Sequence, residues 1–398
     1  MKAKTTRLFF IDAIRAWAIL MMLQGHFIDG LLDPIFRDSD NMVFSTWLYF
    51  RGITAPVFFT VSGFIFTYLL LRAPQLGKEN PRVRKGIRRG FQLLLIGYLL
   101  RMNLLGMLQG EVYDAFYLVD VLHCIGLSLL SIIGIYVFSS KRPSYVFPSL
   151  LLMTTLLLFV FEPIYKQWSF DFLPYAIANY FTKVNGSVFT IIPWLGYASI
   201  GAFVSVLFNR FKTYKHLYPA AIGIFLAVGA SLIFLSSPAF VNLFKWTGIL
   251  LFKQIELNNY LFIRLGDVFV VFALFMLAQA ALKHKTILKI GSNTLSIYVI
   301  HFIILYGSFT GLGLYRFFDH SLSPVVAIPG AIAFMVVCTG LALQYDKREQ
   351  EIKTTLQSAL LKGISHVVEI WKTLVPIFRE VFRKGRNFIF KLVRPQRS

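Results

Sequence analysis

Apolar stretches of about 20 residues recur along this chain, and in a hydrocarbon core about 30 Å thick only a helix satisfies all of its backbone hydrogen bonds within one such open-ended stretch. With 57% hydrophobic and 16% aromatic residues among 398, the sequence reads as an all-α integral membrane protein. Ten transmembrane helices are expected, near residues 8–28, 46–71, 87–108, 118–139, 145–162, 188–208, 217–236, 261–282, 288–308 and 323–344. The first run contains Asp12 and Arg15 and lacks a small-residue cleavage site, so it is expected to stay as a true span rather than be removed as a leader. Cys124 and Cys338 fall inside spans and suggest neither a disulfide framework nor a metal site.

Charge sets the expected orientation. One set of connections carries 18 Lys and Arg residues and the alternate set carries 6, so by the preference of positive charge for the cytoplasmic side both termini are expected there. The chain divides into a transmembrane region, residues 1–345, and a basic tail, residues 346–398. In the tail twelve basic residues interleave with Leu356, Leu360, Ile364, Val368, Trp371, Val375, Phe378 and Phe382 at helical spacing. That pattern suits an amphipathic helix lying on the inner membrane surface. The net charge of +21 is largely topological charge of this kind. No stacking motif or nucleic-acid fold accompanies it, so a nucleic-acid partner is not expected.

Polar residues inside the spans are the candidates for function, because lipid penalises them. "RLFFIDAIRAWAILMMLQGHF", residues 7–27, carries Asp12, Arg15 and His26. Arg15 and His26 are eleven residues apart, which returns to within roughly 20° of one helix face about 16 Å further along the axis. Asp12 lies one turn from Arg15 and can pair with it. Given each span's direction, Asp120, His123, Arg264 and Asp267 gather in an outer layer, with Arg51, Arg101 and Asn103. His301 lies just beneath that layer, and Asn293 and Tyr298 lie deeper. At the opposite mouth stand Arg82, Arg84, Lys85, Arg88 and Arg89, more charge than orientation requires.

The segments "IDAIRAWAILMMLQGHF", "APVFFTVSGFIFTYLL", "RKGIRRGFQLLLIGYLLR" and "IGSNTLSIYVIHF" together resemble the transmembrane acyltransferase superfamily. That group takes in acyltransferase family 3 and the heparan-alpha-glucosaminide N-acetyltransferase family. Arg15-Ala16 is closer to the acyltransferase 3 form, whereas "GSNTLSIY" leans to the heparan-related branch. The resemblance implies that an acyl group, usually acetyl, passes from cytoplasmic acetyl-CoA to a hydroxyl or amine of a saccharide on the outer side of a cell membrane, the bacterial inner membrane being expected. It implies His26 as general base or transient acyl carrier, with Arg15 and Asp12, deeper on the same helix, as further catalytic residues. Arg82, Arg84, Lys85, Arg88, Arg89 and Ser62 would hold the coenzyme. Asp120, His123, Arg264, Asp267, His301 and Asn293 would meet the acceptor, and no metal is implied. Structural hydrogen bonding explains His123 with Asp120 better than contact with an acceptor, and helix-to-helix hydrogen bonds explain His301 and Asn293 equally well. A saccharide transporter or flippase is the competing class, although no inverted repeat between the halves supports it.

Overall fold

The computed structural model describes residues 7–110 and 113–393, apart from some side chains, most of them in the tail. Among these residues it holds helices and no strand, only two isolated bridges, Leu32 with Leu322 and Asn103 with Phe309. The protein is all-α. Its contacts divide it into two units, residues 1–343 and 344–398.

A helix stands at each of the ten expected places. In chain order they are α1 Phe9–Leu31, α2 Met42–Leu70, α3 Pro81–Arg101, α4 Val121–Ser139, α5 Val146–Val160, α6 Ile191–Arg210, α7 Leu217–Thr247, α8 Tyr260–Leu277, the pair α9 Lys285–Ser292 and α10 Thr294–Tyr306, and α11 Pro324–Val393. Seven stretches are long and apolar enough to cross a bilayer, and an eighth is the pair α9 and α10, bent by 69° at Asn293. The remaining two places differ for physical reasons. Helix α5 is only 15 residues long. Helix α3 starts earlier than hydropathy suggests because Asn80 caps it, accepting from the Arg82 N–H at 2.8 Å, with Pro81 at its first position. Its first two turns therefore hold the Arg and Lys cluster rather than apolar residues.

Two neighbouring pairs of helices run parallel. Arg15 meets Thr294 and His26 meets Tyr306, so α10 runs alongside α1 in the same direction. Phe59 packs on Trp194 and Phe64 on Phe208, which makes α2 and α6 parallel. These last two helices cross so closely that a Cβ on Gly63 or on Gly201 would lie 1.9 Å from the carbonyl oxygen of Ala198 or Thr60. Small residues at such crossings let backbones touch where lipid offers no hydrophobic drive. Gly291 does the same for α9 against α1, its Cβ position being 2.0 Å from the Asp12 carbonyl oxygen.

The starts of α1, α3 and α9 share one end of the bundle, called here the basic end. Around it Phe10, Phe64, Phe208, Tyr218 and Phe272 form an aromatic core. Helix α7 lies at the rim, with only 11% of its most apolar window buried. Exposed apolar side chains such as Phe234 and Leu235 suit contact with lipid tails. In the second unit the described backbone is helical. Trp371 and Val368 are exposed and Val375 is half-buried, while the side chains of Leu356, Leu360, Ile364, Phe378 and Phe382 lie outside the described residues.

Candidate active site

Two cavities, each of about 270 Å³, lie along α1. Arg15, Ser62, Arg89 and Tyr298 line the first, toward the basic end. His26, Arg51, Lys183 and Trp194 line the second, toward the far end. Phe58 borders both. A third cavity of about 420 Å³ lies between α1, α2 and α11 and is mostly apolar. No residue singled out from the sequence lines it.

In the first cavity Arg15 donates to the Thr294 hydroxyl at 3.0 Å. Its ion pair with Asp12 is loose, 3.8 Å, because Asp12 lies closer to Arg7, at 2.5 Å. Arg7 also donates to the Leu288 carbonyl at 3.1 Å. Asp12 thus bridges two guanidinium groups and ties α1 to α9, while Arg15 keeps donor capacity facing the cavity. Ser62 lines the wall but donates back to the Phe58 carbonyl at 2.7 Å, the usual arrangement for a helical serine. Arg89 is the one member of its cluster at the cavity; Arg82, Arg84, Lys85 and Arg88 are exposed and do not line it. Arg82, Lys85 and Arg89 nevertheless share a helix face by their spacing of three and four residues, so they form a row that ends at the cavity.

In the second cavity His26 Nδ1 lies 3.1 Å from the Tyr306 hydroxyl. Its ring meets that of His301 edge-on at 5.3 Å, and His301 meets Tyr298 at 4.8 Å. A line of rings, Tyr298, His301, His26 and Tyr306, therefore runs beside Phe58 from one cavity toward the other. His301 is fully buried, and neither ring nitrogen has a hydrogen-bond partner among the described residues. It lines neither cavity. It packs between Tyr298 and His26, which fits a role behind His26 better than direct contact with a ligand.

The other residues expected near the acceptor stand apart from both cavities. Asp120 accepts two hydrogen bonds from Arg101, at 2.6 and 2.7 Å, and its own N–H donates to His123 Nδ1 at 3.1 Å. His123 is fully buried with Tyr98 against its ring at 4.4 Å, so this group caps α4 and pins it to α3. Arg264 pairs with Asp267 at 2.9 Å and lies 4.4 Å over the Tyr49 ring, while the Tyr49 hydroxyl donates to Asp267 at 2.7 Å. That group lies behind Gly52, whose Cβ position is 2.8 Å from the Arg264 guanidinium. It backs the His26 cavity without lining it. Asn293 donates to the Lys289 carbonyl at 3.0 Å at the bend between α9 and α10.

Four residues matter here that the sequence did not single out for the site. Tyr306 orients His26, Thr294 holds Arg15, and Lys183 and Trp194 line the second cavity. Lys183 falls in a connection rather than in a span, and desolvation together with Lys166 holds its ammonium below the usual lysine range. No cluster of three or more His, Cys, Asp or Glu residues suited to a metal ion occurs among the described residues.

The family pattern described as an acyltransferase domain, acyltransferase family 3, matches residues 8–343. No curated protein matches the chain.

Proposed function

Because the chain belongs to acyltransferase family 3 and is a multi-pass membrane protein, we propose that it moves an acyl group, acetyl by family habit, from cytoplasmic acyl-CoA to a saccharide on the other side of the membrane. The observation that carries this reading is the pair of cavities that share Phe58, one holding Arg15 and Arg89 and the other His26. The positive-inside preference assigns the basic end, and with it both termini, to the cytoplasm. The bacterial inner membrane is the setting proposed. A volume of about 270 Å³ suits the pantetheine arm of the donor rather than its nucleotide. The nucleotide phosphates then stay at the mouth, against the row formed by Arg82, Lys85 and Arg89, through charge-assisted contacts.

The chemistry needs one base and one relay of the acyl group. With Nδ1 engaged by Tyr306, Nε2 of His26 is the nitrogen left to take a proton from the acceptor hydroxyl or amine. As that proton leaves, the acceptor oxygen or nitrogen attacks the thioester carbon, the new C–O or C–N bond forms and the C–S bond breaks. The proton then passes from His26 to the departing thiolate, which restores the base. A two-step route in which Nε2 itself carries the acyl group uses the same atoms in a different order. Lysine and arginine near the thioester steady the negative charge that develops on its oxygen.

The test is direct. Purified full-length protein in lipid nanodiscs is given acetyl-labelled CoA and a mixture of glycan acceptors, beside His26→Ala. Label in the glycan with wild type and not with the variant supports the reading. Movement of saccharide across a vesicle membrane with no label transferred overturns it in favour of a transporter.

A further inference from the structure

We propose that the His26 cavity is built for an acceptor bearing a negative charge, a carboxylate or a phosphate on a sugar, and that Lys183 is the group that receives it. The inference rests on the reading above and narrows its substrate class.

The polar groups that Arg51, Lys183 and Trp194 bring to this cavity are all donors, and no lining residue is a carboxylate. Arg51 is already engaged in an ion pair with Asp29, which is not part of the lining. Lys183 has no hydrogen bond or ion pair among the described residues. The acidic side chains of its own connection are occupied elsewhere: Glu162 by Lys166 at 3.2 Å and Tyr260 at 3.4 Å, and Asp171 by Ser169 at 2.5 Å.

Lys183 is exposed, but the segment that carries it is fastened in place. Its carbonyl accepts from the Gly186 N–H at 2.9 Å, Asn179 donates to the Tyr117 carbonyl at 3.0 Å, and Asn185 donates to Asn179 at 2.9 Å. Ser187 accepts from the Val119 N–H at 3.1 Å and fastens the same segment to the start of α4. A backbone pinned in this way keeps Lys183 within reach of the cavity that it lines. A cation so placed, with the nearby Glu162 carboxylate already paired to Lys166, is positioned to meet an anion in the cavity that it lines.

Trp194 adds an independent pointer. Its indole N–H is buried and has no partner among the described residues, a state that native proteins avoid unless a ligand or water completes it. The same ring packs on Phe59 at 5.1 Å and Phe189 at 4.8 Å, which gives the cavity an aromatic wall of the kind that receives the apolar face of a sugar. The volume of about 270 Å³ lies just below the roughly 300–1,000 Å³ common for small-molecule sites. It admits a single sugar ring.

The experiment measures binding to the full-length protein in nanodiscs, separately from acyl transfer. Glucuronate, glucose 6-phosphate and glucose are titrated by saturation-transfer NMR against wild type, Lys183→Gln and Lys183→Arg. The expected result is half-saturation by at least one charged sugar at about tenfold lower concentration than by glucose. Most of that advantage should vanish in Lys183→Gln and at high salt, and return in Lys183→Arg, with unfolding temperatures unchanged. Preference for glucuronate alone assigns a uronic acid, and preference for glucose 6-phosphate alone a phosphorylated sugar. Equal half-saturation by all three, no saturation by any, or an advantage that survives Lys183→Gln overturns the proposal. Absence of acyl transfer with the charge preference intact would instead overturn the reading of the preceding section.

Discussion

The imidazole of His26 and the hydroxyl of Tyr306 meet at 3.1 Å although 280 residues separate them in the chain. The contact joins the far ends of α1 and α10, just as Arg15 and Thr294 join the two helices nearer the basic end. One helix therefore carries both side chains of the proposed mechanism, and a second, parallel to it, contacts each of them. Tyr306→Phe removes the hydroxyl and keeps the ring. Losing one hydrogen bond of this kind is worth about 1 kcal/mol, so kcat should fall about five- to tenfold while the KM for acetyl-CoA stays within about twofold. Steady-state kinetics at saturating acceptor check this, and an unchanged kcat would remove Tyr306 from the mechanism.

Arg15 faces the cavity toward the basic end with only a loose ion pair to Asp12. Arg15→Ala is expected to raise the half-saturating acetyl-CoA concentration about tenfold, the scale of one charge-assisted contact, and Arg15→Lys should recover part of the loss. Thr294→Val, which removes the acceptor for the Arg15 guanidinium, should move the same parameter in the same direction by less. Equal KM values in all four proteins would show that the first cavity is not the donor site.

Within the basic cluster, position on the helix should matter more than charge. Arg89 lines the cavity and Arg84, five residues earlier, is exposed and does not. Arg89→Glu is therefore expected to raise the KM for acetyl-CoA several times more than Arg84→Glu. Identical effects would mean that the cluster acts through orientation in the membrane and not through the coenzyme.

How much of this was legible in the sequence depends on the range of the interaction. The common face of Arg15 and His26 follows from helical spacing within one element, and both side chains do line cavities. What spacing cannot show is which neighbour a polar group chooses. Asp12 prefers Arg7, which lies before the helix begins and counts in the sequence only as one more topological charge. Asp120 and Asp267 spend their charge on Arg101 and Arg264, which leaves the cavity to Arg51, Lys183 and Trp194. The bend at Asn293 falls on the polar break Gly291-Ser292-Asn293-Thr294 in the apolar run, but its geometry comes from a contact with another helix, the close approach of Gly291 to the Asp12 carbonyl, which spacing does not show.

Phe58 stands between the two cavities and belongs to the wall of each. Phe58→Ala should join them and let water reach a bound thioester from the His26 side, so acetyl-CoA hydrolysis without any acceptor is expected to rise several-fold while transfer to a glycan falls. Phe58→Trp should fill the passage and depress both. Thiol release measured with and without acceptor separates the two, and hydrolysis unchanged in Phe58→Ala would mean that the cavities do not communicate at this residue.

The crossing of α2 and α6 permits no side chain at its centre. A Cβ at Gly63 or Gly201 would fall 1.9 Å from a backbone carbonyl oxygen of the facing helix, and a backbone atom cannot swing aside as a side chain can. Forcing extra volume into a packed site costs about 1–3 kcal/mol or more. Gly63→Ala and Gly201→Ala should each lower the unfolding temperature in detergent and reduce activity, because α2 carries Phe58 and α6 carries Trp194. Gly223, on the exposed side of α7, has no heavy atom within 4 Å of its Cβ position. There alanine adds helix propensity of about 1 kcal/mol in principle, so Gly223→Ala should leave the unfolding temperature level or raise it. A loss of stability at Gly223 as large as at Gly63 would show that helix flexibility, and not the close crossing, is what these glycines provide.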